Sequence, residues 1–71
     1  MLQFGDNVLI VPSEELVEFQ LMELEGRTGM IVEVRADNRT QNKGAWVSLD
    51  GEPHLGESEW FIPLKSLKKQ K

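Results

Sequence analysis

The alternation of apolar and polar positions marks short strands over most of the chain. Residues 7–12 open the pattern, with Val8 and Ile10 on one face and Leu9 and Val11 on the other. Both faces are apolar, so this strand is expected to be covered on both sides. Gly5-Asp6-Asn7 precede it and Pro12-Ser13 punctuate its end. In residues 29–35, alternation directs Met30, Val32 and Val34 to the core and turns Ile31, Glu33 and Arg35 outward. In residues 45–49, Ala45, Val47 and Leu49 point inward, which places Trp46 and Ser48 outside. Residues 59–62 form a fourth strand, in which the neighbours Trp60 and Phe61 must face opposite ways: one core, one surface. Pro63-Leu64-Lys65-Ser66 predicts a single 3₁₀ turn, and Leu67 starts a last short strand.

Residues 14–25 carry two patterns at once. Ser13 suits a helix cap, with Glu14 and Glu15 favourable in a first turn. Val17, Leu21 and Leu24 fall at i, i+4 and i+7, while Val17, Phe19 and Leu21 also alternate as a strand would. A short helix or irregular excursion is expected here. Residues 36–44 and 51–58 read as polar loops, the second introduced by the turn signal Asp50-Gly51. The prediction is an all-β fold: five short strands, one long excursion after the first, and a partly open barrel over residues 1–67 followed by a basic, frayed tail, 68–71. Closing such a sheet removes the edges that invite aggregation.

Three segments carry a resemblance to the SH3-like barrel superfamily. Gly5-Asp6-x-Val8-x-Ile10 resembles the opening strand of many such barrels. Gly26-Arg27-Thr28-Gly29-Met30-Ile31-Val32-Glu33-Val34 resembles the Gly-x-x-Gly-x-[IV]-x-x-[IV] element of KOW-like domains and the second strand of the small photosystem I subunit with this fold. Trp60-Phe61-Ile62-Pro63-Leu64-Lys65-Ser66-Leu67 resembles the ending in which a strand, a 3₁₀ turn and a final strand follow one another. The resemblance implies a fold and leaves the function open. The chain departs from basic KOW domains in its acidity, and from proline-rich-peptide binders in having no tyrosine.

Seventy-one residues make one small domain, and without cysteine its stability must come from an apolar core or from association. The longest apolar run, Val8-Leu9-Ile10-Val11, is far below the roughly 20 residues of a membrane-spanning helix. The start of the chain has no basic, apolar leader pattern, so the protein is expected in the cytoplasm, without membrane association. The formal net charge is −4, with twelve acidic and four basic side chains in residues 1–60 and four lysines in 61–71. An acidic body repels phosphate backbones.

No catalytic arrangement emerges. The serines lack a positioned base, the glycines lack a phosphate-loop pattern, and His54 among Asp50, Glu52, Glu57 and Glu59 lacks ligand spacing. The sequence therefore predicts a non-enzymatic module with no cofactor and no metal. Its expected partner is another protein, basic or apolar, or a second copy of itself. Candidate partner-binding residues are Trp46, Trp60, Phe61, Phe19, Met22 and Leu24, because exposed aromatic and apolar side chains concentrate in binding surfaces. The alternative is a nucleic-acid-associated module of the KOW type that uses Arg35, Arg39 and Lys43 with the lysine tail. An accessory subunit of a larger enzyme is a third reading.

Overall fold

The computed structural model describes residues 2–35 and 43–70. Five strands run in the order β1 (Asn7–Ile10), β2 (Thr28–Arg35), β3 (Gly44–Leu49), β4 (Glu59–Pro63) and β5 (Leu67–Lys69). They form one antiparallel sheet in the spatial order β4-β3-β2-β1-β5. The fold is all-β, as expected. The ladder is open, with β4 and β5 as its two ends, joined by the 3₁₀ turn Leu64–Ser66.

The segment between β1 and β2 contains a helix, α1 (Glu14–Glu18), and a 3₁₀ turn, Met22–Leu24. Ser13 caps α1: its Oγ accepts from the Leu16 N–H at 3.1 Å, satisfying one of the free donors of the first turn. That same Oγ lies 2.5 Å from the Oγ of Ser66, a fully buried hydroxyl in the turn before β5. The helix stops in a Schellman arrangement. Leu21 N–H bonds to the Leu16 carbonyl at 3.0 Å and Gln20 N–H to Val17 at 2.9 Å, with Gln20 left-handed at φ 60°. Leu16 and Leu21, brought together by this motif, are both buried. The helical stripe is thus Leu16, Leu21 and Leu24, whereas Val17 is half exposed. The expected phase failed because the helix ends at Glu18 and its period does not run through Gln20.

The core lies between the inner face of the sheet and this segment: Val8, Ile10, Leu16, Leu21, Leu24, Ile31, Ala45, Val47, Leu49 and Ile62. Leu9 is partly covered, so β1 is flanked on both faces, and the strand stops at Ile10, short of the expected residue 12. The expected phase of β2 is corrected over its first half: Ile31 is fully buried and Met30 is exposed. Gly29 pairs with Leu49 and Ile31 with Val47, both inward, and a bulge at Val32 then shifts the register so that Glu33 faces Trp46 and Val34 faces Ala45. Val34 accordingly packs on the core, as expected. β5 extends through Lys69, with Val8 opposite Lys69 and Leu9 opposite Lys68, and Gln70 N–H bonds to Asn7. The expected boundary after residue 67 therefore falls inside a strand, and residues 68–70 are tied to β1. The loop expected at 36–44 lies outside the described residues up to Asn42.

Candidate functional site: an aromatic groove at the β4 edge

The pairing of β2, β3 and β4 builds a row across the outer face of the sheet. Glu33 stands opposite Trp46, and Trp46 opposite Phe61. Trp46 is 37% exposed, as its outward phase requires. Its indole meets Phe61 edge-on, with ring centroids 5.7 Å apart. Phe19, at the C-terminal cap of α1, stacks on Phe61 at 6.4 Å. Such pairs contribute about 0.5–1.5 kcal/mol beyond the area they bury. Trp46, Phe61 and Phe19 therefore form one continuous aromatic surface, drawn from three elements.

The Trp60–Phe61 ambiguity resolves by register. Trp60 pairs with Val47 and packs on the core, while Phe61 takes the outer face. Trp60 remains half-buried because β4 ends the ladder. Its Nε1 donates to the Glu57 carbonyl at 2.9 Å, and the His54 ring lies edge-on to it at 5.2 Å.

A groove of about 640 Å³ follows the free side of β4, lined by Phe19, Leu21, Trp46, Trp60 and Phe61, with Glu57 and Glu59 at its rim. A second depression of about 420 Å³ lies against Trp46, bounded by Val32, Glu33 and Glu59. Trp46 and Glu59 belong to both. Among the described residues, every charged side chain lining these two depressions is a carboxylate. Glu33 also holds Arg35 at 3.1 Å, both well exposed, a pair that contributes little to stability.

The other sequence-predicted residues divide. Leu24 is fully buried and is no part of any surface, because the 3₁₀ turn directs it inward. Met22 is half exposed and does not line the groove. Arg35 and Lys43 are exposed, but Arg35 is engaged by Glu33; Arg39 lies outside the described residues. His54 approaches Glu23 at 3.8 Å, and among the described residues no three His, Asp or Glu side chains gather as a metal cluster. Among the described residues no helix is long and apolar enough to cross a membrane.

Sequence reasoning missed Leu21, Glu57 and Glu59 as groove residues. Leu21 is visible only once α1 is known to end before it, and the two carboxylates only once the loop 50–58 is folded back along β4. Comparison with known proteins yields no matching family model, no matching curated protein and no matching solved structure.

Proposed function

We propose that the chain is a non-enzymatic protein-interaction module with an SH3-like, partly open barrel fold. It engages basic or apolar protein segments at the aromatic groove. The fold reading is supported by the antiparallel meander β1–β4, followed by a 3₁₀ turn that sends β5 back to pair with β1. The functional reading rests on one observation: an exposed indole in a row with Phe61 and Phe19, bordered by Glu33, Glu57 and Glu59.

An aromatic surface of this kind offers apolar area and a negative ring face, and carboxylates beside it attract cations. A lysine or arginine side chain flanked by apolar residues satisfies both features. Phosphate backbones meet repulsion at the same place.

An array of short synthetic peptides tests the reading. Peptides that combine Arg or Lys with apolar residues should retain the wild-type protein, and acidic counterparts should not. Trp46→Ala should lower retention about tenfold while circular dichroism stays unchanged. Equal retention of both peptide classes, or indifference to Trp46→Ala, refutes it.

A further inference from the structure

We infer that Leu55 is a protruding anchor that inserts into an apolar socket, bordered by basic side chains, on a partner protein. The inference rests on the reading above that the adjoining groove engages a protein, and it adds a second, separately testable contact.

Leu55 is 81% exposed, the most exposed of the large apolar side chains among the described residues. It sits at the tip of a miniature hairpin. His54 and Glu57 exchange reciprocal backbone hydrogen bonds of 2.9 and 3.0 Å, leaving Leu55 and Gly56 as a two-residue turn. Both turn residues are left-handed, with φ 51° and 82°. Such a turn selects Asn, Asp or Gly at its first position. A leucine there accepts backbone strain and returns no burial within this chain. Asparagine would relieve the strain and remove the exposed apolar surface together. Strain of this kind gathers at ligand clamps and switch regions.

The tip is held from several sides. Glu57 accepts from the Trp60 indole, and the His54 imidazole rests against that same indole with its side chain only 12% exposed. Upstream, Arg27 donates through Nη2 to the carbonyls of Asp50 and Glu52, fixing the entry of the loop. Leu55 is thus presented pre-ordered, which lowers the entropy lost on binding.

Charge selects the occupant. Glu57 flanks the turn, and Asp50 and Glu52, earlier in the same loop, are exposed as well, Asp50 also accepting from the Thr28 hydroxyl at 3.0 Å. They suit a socket with a basic border and repel anionic lipid surfaces. Glu57 lines the groove as well, so the base of the hairpin adjoins it.

The test uses the full chain with a photoreactive diazirine aliphatic side chain at position 55, and a control carrying it at the exposed position 4, irradiated in clarified extract of the native cell. One saturable protein adduct is expected from position 55 and none from position 4. Its crosslinked peptide should map to an apolar pocket bordered by Lys or Arg. Excess unlabelled wild type should abolish the adduct, while Leu55→Asn should compete about thirtyfold less well. The same variant should unfold at a higher temperature than wild type, separating lost contact from lost fold. Effective competition by Leu55→Asn overturns the anchor, and the groove reading survives that result if Trp46→Ala fails to compete. Adducts to lipid alone, adducts to a second copy of this chain, or equal adducts from positions 4 and 55 also overturn the anchor.

Discussion

Gly44 opens β3 at a point where any Cβ crowds the neighbouring strand. An alanine Cβ there would stand 2.5 Å from the Ile62 carbonyl oxygen and 2.8 and 2.9 Å from two atoms of the Phe61 ring. Ordinary contact begins near 3.4 Å, so the carbonyl alone would have to retreat by about 0.9 Å. That carbonyl belongs to β4, whose Pro63 pairs with Gly44, and it cannot retreat without parting the two strands. The ring can swing, but only by disturbing its contacts with Trp46 and Phe19. Forcing atoms into a packed site costs about 1–3 kcal/mol, while replacing glycine lowers the entropy of the unfolded chain by an equivalent of about 0.4–1 kcal/mol. The net expectation for Gly44→Ala is a loss of about 1–2 kcal/mol. A domain of this size has roughly 4–10 kcal/mol in total, so the midpoint should fall by about 5–15 °C. Urea unfolding followed by the fluorescence of Trp46 and Trp60, one on each face of the sheet, measures the change directly. Stability equal to or above wild type refutes the steric argument. Adding Phe61→Leu separates the two obstacles. If Gly44→Ala costs nothing in that background, the ring and not the strand carbonyl was the barrier.

Three further outcomes follow from local geometry. Gln20→Gly should stabilise the fold by about 0.5–1 kcal/mol in chemical denaturation, because glycine takes the left-handed Schellman position without a Cβ clash; destabilisation counts against the strain assigned there. Ser13→Ala should cost about 1–2 kcal/mol through the lost cap and the stranded Ser66 hydroxyl. Ser13→Ala with Ser66→Ala should cost less than the two single changes added, and strict additivity in the cycle would argue against their coupling. Arg27→Ala should speed amide hydrogen exchange across residues 50–58 while changing global stability by no more than about 1 kcal/mol; unchanged protection of that loop would show that the guanidinium does not hold it.

Alternation read β3 correctly because all three of its inward side chains are apolar and no irregularity interrupts it. In β2 the same reasoning chose the wrong face for Met30 and Ile31. Gly29 is one cause: it faces inward yet contributes no apolar signal, since a Cβ there would strike the Ser48 carbonyl and Val47. The bulge at Val32 is the other, for an extra residue leaves no mark in a single strand and exists only relative to its partner. The aromatic site was legible in part. Trp46 followed from alternation, and the opposition of Trp60 and Phe61 from adjacency. That Phe61 is the outer one depends on the β3–β4 register, which no local pattern encodes. The apolar content of residues 14–25 places Leu24 at the surface because it exceeds what so small a barrel is expected to bury, whereas α1 and the 3₁₀ turn fold Leu16, Leu21 and Leu24 inward. Leu55 offered no signal beyond the glycine after it, since its interest comes from a backbone angle and an exposure.

The pairing of β1 with β5 has a bearing on how the protein is made. Val8 finds its partner Lys69 across nearly the whole length of the chain. Contacts so distant in sequence form slowly, because a large loop must close before any bond rewards it. On the ribosome β1 emerges first of the five strands and β5 last. Until β5 emerges, one side of β1 remains without its ladder, beside the apolar Val8-Leu9-Ile10-Val11 run. The nascent chain is therefore exposed to mispairing until β5 has emerged, when its lysines complete the sheet.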